Sequence, residues 1–276
     1  MKLPGDFLFS QSNLQDYVDC PRRFYLRYVR QLAWPAVQAE PALEQERHLQ
    51  QGAEFHRLVH QHILGIPSAE ISRGITDVDL SRWWENYLGQ GPTGLPQSLY
   101  PETVLSAPIG GHRLVAKYDL IGLDPGQRAV ILEWKTDRKR RRRQWLTERL
   151  QTRVYRYLLI RAGSHLNAGQ PLDPAQVEMI YWFANYPDGP ERFPYDTPQY
   201  EADEAYLTSL IEEIRSQQPR EFDLTSEEKR CRYCPYRSLC RRGETAGDRT
   251  DAEEEWELDE DFGLSVDLEH VAEIEY

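Results

Sequence analysis

The distribution of cysteine constrains this chain more than any other feature of its sequence. Three of the four cysteines, Cys231, Cys234 and Cys240, lie close together, and the fourth, Cys20, precedes them by about 210 residues. Four thiols could form two disulfides, but a Cys-x-x-Cys pair with further cysteines more often binds a metal ion or cluster in an intracellular protein. A site that uses all four requires the two ends of this segment to meet. An iron–sulfur cluster, zinc and a set of reduced buried cysteines are all compatible with the spacing.

Acidic residues are concentrated at the C-terminal end of the sequence. The formal net charge is −12 at pH 7, which taken alone argues against a nucleic-acid partner. Residues 244–276 contain 14 of the acidic side chains and a single basic one, Arg249, so the preceding 243 residues are close to neutral. The negative net charge of the chain therefore comes from an acidic tail, which we expect to be disordered. A docking peptide for a protein partner, or a segment that imitates DNA, is the alternative for this tail.

No stretch of the sequence is suited to a membrane. The longest apolar runs fall well short of the roughly 18 residues that a spanning helix needs. The first residues, MKLPGDFLFSQSN, lack the apolar segment and the cleavage site of a secretion signal. We therefore expect a cytoplasmic protein with no membrane partner.

The periodicity of apolar residues predicts an α/β fold. Helices are expected around residues 14–29, with an interruption near Pro21, and at 43–64, 79–88, 144–161 and 200–217. Strands are expected at 103–109, 113–123, 128–134 and 176–183, with a short fifth strand near 192–195. Gly110-Gly111 and Asp124-Pro125-Gly126 supply the turns between the first three strands. We expect one central mixed sheet with helices on both sides.

Two carboxylates and a lysine are expected to meet on neighbouring strands of this sheet. Glu133 and Lys135 are two residues apart and so face the same side of one strand, and the short turn before that strand should pair it with the strand of Asp119. Two carboxylates can hold a hard divalent ion, and a lysine beside the ion can orient or deprotonate an attacking water. A Glu-x-Lys pair on a strand is more often a solvated surface pair. Here the apolar residues 130–132 indicate a buried strand. Burying a charged side chain costs free energy unless it is paired or binds a metal ion, which favours a functional role.

Four short motifs, taken in order, resemble those of the RecB-like nucleases of the PD-(D/E)xK superfamily. The resemblance covers most of residues 8–242. Its motifs are Gly52-Ala53-Glu54-Phe55-His56, Tyr118-Asp119-Leu120-Ile121, Glu133-Trp134-Lys135-Thr136 and Gln151-Thr152-Arg153-Val154-Tyr155. Ala116 and Asp137 stand where many relatives have glycine. Each motif is weak alone, and their order is what makes the resemblance specific.

The resemblance implies a restriction-endonuclease-like core that hydrolyses phosphodiester bonds with the help of a metal ion. It implies Mg²⁺ or Mn²⁺ bound by a set of four residues: His56, Asp119, Glu133 and Trp134. It implies five catalytic-site residues: Asp119, Glu133, Lys135, Gln151 and Tyr155. His60, one turn after His56, is the competing histidine and ranks lower only because the motif ends on His56.

The cysteines take part in the same resemblance. Cys20-Pro21-Arg22-Arg23-Phe24 and the three C-terminal cysteines are similar to the [4Fe-4S] clasp of RecB-like exonucleases of the AddB and CRISPR-associated kinds. The resemblance implies a cluster bound by Cys20, Cys231, Cys234 and Cys240, with Zn²⁺ as the alternative. It implies a single nuclease domain over residues 1–243, with a helical N-terminal segment, a C-terminal iron–sulfur segment and the acidic tail 244–276 outside it.

A run of basic residues directly follows the predicted catalytic strand. The run consists of Arg138, Lys139, Arg140, Arg141, Arg142 and Arg143. Such a run is often a solvated face, but next to a metal site it favours contacts to phosphate that do not depend on base sequence. The resemblance to RecB-like nucleases implies a Mg²⁺- or Mn²⁺-dependent deoxyribonuclease, an exonuclease acting at DNA ends or in single strands, in DNA repair, recombination or CRISPR adaptation. The alternative is a non-catalytic iron–sulfur or zinc protein that binds DNA or a partner and has a decayed nuclease site.

Overall fold

The computed structural model describes residues 3, 7–32, 40–218, 221–231 and 234–243, and the side chains of residues 40–46 are not described. The α-helices are α1 (Gln11–Asp19), α2 (Pro21–Phe24), α3 (Glu40–Ile63), α4 (Ser68–Arg73), α5 (Val78–Gln90), α6 (Arg143–Glu148), α7 (Leu150–Ala162) and α8 (Thr197–Ser216). A π-helical turn at Tyr25–Val29 follows α2, and 3-10 turns lie at Ser164–Asn167, Pro174–Gln176 and Glu228–Cys231. The predictions made for the acidic tail, 244–276, fall outside the described residues.

A mixed sheet forms the centre of the described structure. Its strands are β1 (Leu8–Phe9), β2 (Ser98–Ile109), β3 (His112–Asp124), β4 (Arg128–Lys135), β5 (Val177–Phe183) and β6 (Glu191–Pro194). The order is β1-β3-β4-β5-β6, with β2 also paired to β3. The β1–β3 and β4–β5 pairs are parallel, and the others are antiparallel. The expected α/β fold with a mixed sheet is therefore confirmed.

The turns between β2, β3 and β4 lie where the sequence predicts them. Gly110 and Gly111 both have positive φ, +52° and +77°, which a two-residue hairpin turn of this kind requires and which glycine adopts without strain. Leu120 pairs with Leu132 in the antiparallel β3–β4 register. This is the last pair of the ladder, and just beyond it the backbone N–H of Asp119 contacts the side chain of Glu133.

Helices cover both faces of the sheet, and alternate strand residues separate two apolar cores. Leu132 and Trp182 face the core that the sheet shares with α3, α4 and α5. Ile131 and Tyr181, one residue before each of them, face the larger core, which contains α1, α2, α7 and α8. Both faces are therefore buried, as expected for the near-continuous apolar strands β4 and β5.

The N-terminal helices begin and end at signals that the sequence contains. Ser10 caps α1 through a capping box with Asn13, and Pro21 occupies the first turn of α2. The predicted interruption near Pro21 is confirmed. Among the described residues, no helix combines the length and the apolar character that crossing a membrane would require.

The structure corrects one predicted helix and adds two elements. The helix expected over 144–161 is divided into α6 and α7, because Arg149 between them has extended backbone angles (φ −70°, ψ 139°). The short elements β1 and α4 were not predicted. The pairing of β1 with β3 places α1 beside the central strands.

Candidate active site

A cavity of about 310 Å³ opens where α3, β2, β3, β4 and α7 meet. Its lining includes seven of the residues discussed above: His56, His60, Asp119, Glu133, Lys135, Gln151 and Tyr155. These side chains come from four separate elements of the chain. The sheet supplies the carboxylates and the lysine, α3 supplies the histidines, and α7 supplies the amide and the phenol. The fold therefore brings the four sequence motifs to one place.

The Asp119 carboxylate is held by contacts to both of its oxygens. Its Oδ2 accepts a hydrogen bond of 2.8 Å from the backbone N–H of Trp134, and its Oδ1 lies 3.1 Å from Nδ1 of His56. Burial alone would raise the pKa of Asp119, but His56, the Trp134 N–H and the charge of Lys135 together hold that pKa below its usual value. Asp119 is therefore ionised at neutral pH despite its burial.

Glu133 lies beside Asp119, with its side chain almost completely buried at 3% exposure. Its Oε1 accepts a hydrogen bond of 3.3 Å from the backbone N–H of Asp119, and its Oε2 accepts one of 2.9 Å from Nε2 of Gln151. The predicted proximity of the two carboxylates is thus present in the structure. Gln151, in the first turn of α7, fixes the outer oxygen of Glu133.

Lys135 follows Glu133 by two residues on β4 and lines the same cavity. Its ammonium nitrogen lies 5.8 Å from the centre of the Tyr181 ring, within cation–π range. The charge of Lys135 contributes to the lowered pKa of Asp119, so the two groups influence each other directly. A cation in this position can act on an oxygen bound near the carboxylates.

Tyr155 connects α7 to the strand of Asp119. Its hydroxyl donates a hydrogen bond of 2.8 Å to the carbonyl oxygen of Lys117, and the hydroxyl of Tyr118 donates one of 2.8 Å to the carbonyl oxygen of Tyr155. The two rings lie 4.7 Å apart. Gln151 and Tyr155 thus act on the site from one helical face, the first through Glu133 and the second through the β3 backbone.

The two candidate histidines occupy different positions in the cavity. His56 contacts Asp119 directly, at the distance given above. His60 lines the cavity one turn further along α3. The contact with Asp119 agrees with the preference for His56 over His60.

Trp134 takes part in the site through its main chain. Its ring is buried against Trp182, with the ring centres 5.7 Å apart, on the side of the sheet that packs against α5. An indole N–H only donates hydrogen bonds, so a metal ligand from Trp134 would have to be its carbonyl oxygen. Its backbone N–H holds Asp119 in place.

The donor set of the cavity suits a hard divalent ion. Two carboxylates and a histidine offer the oxygen and nitrogen donors that Mg²⁺ or Mn²⁺ accepts. Within the described ranges, no group of three or more His, Cys, Asp or Glu side chains already has the arrangement of a metal site. Each carboxylate oxygen of Asp119 and Glu133 has a neighbouring donor. An ion bound here would share these oxygens with those donors or displace them.

The cysteines from the two ends of the chain lie in one neighbourhood. Cys20 and Cys231 are buried, and Cys234 and Cys240 are partly buried against the larger core. Burial raises the pKa of the Cys234 thiol to about 11, and the thiols of Cys20 and Cys240 add to this effect. Burial and Cys20 likewise raise the pKa values of Cys231 and Cys240. These electrostatic influences indicate that the four thiols share one region. Among the described residues, the cysteines do not already have the arrangement of a metal site. Soft thiolates suit iron–sulfur clusters or zinc.

Other contacts join the same two ends. Arg230 forms an ion pair with Asp19, and the backbone N–H of Arg22 donates a hydrogen bond of 3.0 Å to the carbonyl oxygen of Asp223. Phe222 stacks on Tyr25 with the ring centres 5.0 Å apart. The ends of the segment between Cys20 and Cys231 therefore meet through packing and ion pairs as well as through the cysteines.

The basic run after β4 is largely exposed, and several of its side chains form ion pairs. Arg140 and Arg143 both form ion pairs with Glu191 of β6, and Arg141 pairs with Asp137. Arg138 and Arg142 are exposed. None of the six residues of the run lines the described cavity. Part of the positive charge that the sequence suggested is thus neutralised within the fold.

Three charged residues of the cavity were not identified from the sequence: Arg57, Glu102 and Lys117. Arg57 of α3 forms an ion pair with Glu54. Glu102 of β2 and Lys117 of β3 form an ion pair with each other. Lys117 precedes Asp119 by two residues, so the alternation of β3 could have placed it on the same face. No sequence signal marks Glu102, which depends on the pairing of β2 with β3.

Comparisons with known proteins identify the family. A model of the PD-(D/E)XK nuclease superfamily matches residues 8–241, a range that contains the whole cavity and all four cysteines. The solved structure of SSO0001 is 16% identical, with 84% of this chain and 85% of that chain covered and a TM-score of 0.39. A Eubacterium rectale protein provisionally named an exonuclease is 10% identical, with 75% and 79% covered and a TM-score of 0.43. Neither structural likeness is close enough to carry an argument, and no curated protein matches. The match over most of its length shows that the chain belongs to the PD-(D/E)XK nuclease superfamily.

Proposed function

We propose that the chain is a divalent-metal-dependent deoxyribonuclease that hydrolyses phosphodiester bonds at DNA ends or in single strands. Membership of the superfamily implies a phosphodiester hydrolase with a nucleic-acid substrate, and such nucleases typically use a divalent metal ion. The observation that carries the proposal is the meeting of His56, Asp119, Glu133 and Lys135 in one cavity. The resemblance to RecB-like nucleases supplies the preference for DNA.

Each residue of the cavity has a separate role in this proposal. Asp119, Glu133 and His56 would hold Mg²⁺ or Mn²⁺, which when bound polarises the phosphodiester and lowers the pKa of a water molecule. The Trp134 N–H and the Gln151 amide keep the two carboxylates oriented. The Lys135 ammonium would orient the attacking water or stabilise the negative charge that develops on the phosphate.

The substrate and the metal dependence can be tested together. Purified protein is incubated with end-labelled linear DNA, circular DNA, single-stranded DNA and RNA, each with Mn²⁺ or with EDTA. We expect cleavage of linear or single-stranded DNA with Mn²⁺ and none with EDTA. Cleavage in EDTA would contradict the metal-dependent mechanism, and cleavage of RNA alone would contradict the proposed substrate.

A Lys135→Ala variant separates catalysis from binding in the same assay. Loss of cleavage with retained DNA binding supports the role of Lys135. Full activity in the variant would refute that role. DNA binding by wild-type protein without cleavage under any metal condition would favour the non-catalytic alternative, in which the nuclease site is decayed.

The four cysteines are proposed to hold a structural [4Fe-4S] cluster. The proposal is supported by the proximity of the thiols and by the contacts that join the two chain ends around them. Closing a loop of this length would stabilise the fold substantially, because the closure entropy of the unfolded chain grows with loop length. In this proposal residues 1–243 form one nuclease domain, and the acidic tail lies outside it.

Metal analysis of the purified protein distinguishes the cluster from its alternative. We expect about four iron atoms per chain and a brown colour in protein purified without oxygen, as a [4Fe-4S] cluster requires. A Cys231→Ala variant should lose iron and melt at a lower temperature. Stoichiometric zinc without iron would establish the zinc alternative, and a colourless protein with an unchanged melting temperature in the variant would end the proposal.

The resemblance would assign the activity to DNA repair, recombination or CRISPR adaptation, with the acidic tail as a candidate docking segment for a protein partner. Deleting residues 244–276 tests the tail directly. An unchanged DNA affinity and cleavage rate would exclude an autoinhibitory tail that imitates DNA.

A further inference from the structure

The ion pair of Glu102 and Lys117 lies inside the cavity that contains the candidate catalytic residues. The side chains are 25% and 33% exposed, so both remain accessible to a ligand that enters the cavity. Lys117 is two residues before Asp119 on β3, and both side chains line the cavity. The cavity thus contains a second lysine, beside Lys135, on the surface where a phosphate chain would approach.

The backbone of Glu102 departs from regular strand geometry at this one place. It has a positive φ of 52°, a conformation that a residue with a side chain rarely adopts. The β2–β3 register pairs Pro101 with Leu120 and Thr103 with Tyr118, so Glu102 is the position opposite Asp119 and is missing from the ladder. Strained backbone of this kind persists only where the surrounding structure holds it, and it is concentrated at functional sites.

The charges around this pair favour an exchange of partners. A bound metal ion would compensate the negative charges of Asp119 and Glu133, whereas the negative charge of Glu102 is compensated by Lys117. A phosphate group that enters the cavity competes with the Glu102 carboxylate for the same ammonium group. Lysine binds phosphate as a flexible point charge and can turn from one anion to the other without a change in the backbone.

We propose that Lys117 is a phosphate-binding residue for the nucleic-acid backbone next to the cleaved bond, and that Glu102 holds it in place and competes with the incoming phosphate. This inference rests on the proposed nuclease function and adds a substrate contact to it. Glu102 acts through Lys117 and is a positioning residue. The pair sets how tightly the backbone binds and how strongly salt weakens that binding.

The test measures the affinity for a fluorescein-labelled single-stranded oligothymidylate in EDTA over a range of salt concentrations. Lys117→Met should weaken binding and reduce the slope of log affinity against log salt by about 0.7, the contribution of one phosphate contact on a single strand. Glu102→Gln should tighten binding by about threefold or more, because the lysine loses its competing anion.

Two control variants show whether an effect depends on where the charge is removed or only on the change in net charge. Glu212 is exposed on α8 and Arg73 is exposed on α4, so Glu212→Gln and Arg73→Met make the same changes in net charge away from the cavity. We expect both controls to bind nearly as wild type does. Unfolding curves for all variants check that the fold is retained.

The double variant distinguishes exchange from simple repulsion. If Glu102 competes for Lys117, the tightening by Glu102→Gln is larger when Lys117 is present than in the Lys117→Met background. Equal tightening in both backgrounds, or a Glu102→Gln effect no larger than that of Glu212→Gln, would overturn the inference. If the wild-type protein cleaves DNA but the variants do not behave as expected, the roles given to Lys117 and Glu102 are wrong and the proposed nuclease function stands. A wild-type protein that neither binds nor cleaves nucleic acid overturns the proposed function as well.

Discussion

The hydrogen bond between Gln151 and Glu133 offers a test of how the cavity prepares its carboxylates. Nε2 of Gln151 donates to Oε2 of Glu133 at 2.9 Å, and the accepting side chain is only 3% exposed. A hydrogen bond to a charged group contributes about 1.5–3 kcal/mol, and about 1.4 kcal/mol corresponds to a factor of ten. We therefore expect Gln151→Ala to weaken Mn²⁺ binding by roughly 10- to 100-fold.

The same substitution should leave the fold nearly unchanged. Gln151 is half-buried in the first turn of α7, where alanine is a good helix former. Without metal, the free energy of unfolding should fall by no more than the roughly 1.5–3 kcal/mol that this hydrogen bond contributes, so the variant stays folded. A loss of metal affinity measured on folded protein would therefore report on the orientation of Glu133.

Electron paramagnetic resonance of free Mn²⁺ measures the dissociation constant directly. Gln144→Ala is the matched control, because Nε2 of Gln144 donates a hydrogen bond of 3.1 Å to Glu148 on the exposed surface of α6. The control removes the same type of bond outside the cavity and should bind Mn²⁺ as wild type does. Wild-type affinity in Gln151→Ala, or an equal loss of affinity in both variants, would show that Gln151 does not prepare Glu133 for metal binding.

Three further outcomes follow from the described contacts. Tyr155→Phe removes the 2.8 Å hydrogen bond to the Lys117 carbonyl and should lower the free energy of unfolding by about 1 kcal/mol in urea titrations, and no loss at all would contradict this. Folding lowers the pKa of Asp119, so the contribution of this carboxylate to stability is present above about pH 4 and is lost as the pH falls through the folded pKa. The difference in the free energy of unfolding between wild type and Asp119→Asn should therefore shrink on acidification. A difference that does not change with pH would contradict this. Removing the exposed Arg138 and Arg142 together should reduce the salt dependence of single-strand binding by about 1.4 in slope, and an unchanged slope would remove both from the DNA-binding surface.

The β3–β4 hairpin could be predicted because its signals are local. Two apolar runs, a turn sequence and a spacing of two residues between Glu133 and Lys135 are enough to place three charged groups on one face. In the structure Asp119 lies beside Glu133 as expected, just beyond the last pair of the β3–β4 ladder. Catalytic roles for these residues remain a prediction that the proposed assays test.

The break between α6 and α7 could not be predicted, because the group that accepts a hydrogen bond from the start of α7 is distant in the sequence. The backbone N–H of Leu150, at the start of α7, donates a hydrogen bond of 3.1 Å to Oε1 of Gln15 on α1. The first N–H groups of a helix need such acceptors, and local sequence offers no sign that a residue 135 positions away provides one. The continuous helical pattern of this segment therefore suggested one helix.

The ion pairs of the basic run could not be predicted from the sequence either. Glu191, which pairs with Arg140 and Arg143, lies on β6, about 50 residues further along the chain and two strands from β4 in the sheet. The conformation of Glu102 is similar in this respect, since its positive φ depends on tertiary contacts and a glutamate gives no local reason to expect it. Composition and spacing identified the charged groups, and the tertiary structure determined which of them are paired.

Single-turnover cleavage of a labelled single-stranded DNA, followed as a function of Mn²⁺ concentration, shows whether Asp119 and Lys135 serve one metal-dependent catalytic site. One titration gives both the Mn²⁺ concentration at half-maximal rate and the maximal rate. We predict that Asp119→Asn raises the former. Lys135→Ala should leave it nearly unchanged and lower the maximal rate by about 100-fold or more. A Lys135→Ala variant that reaches the wild-type maximal rate, or an Asp119→Asn variant with an unchanged Mn²⁺ requirement, would contradict the proposal that these residues form one metal-dependent catalytic site.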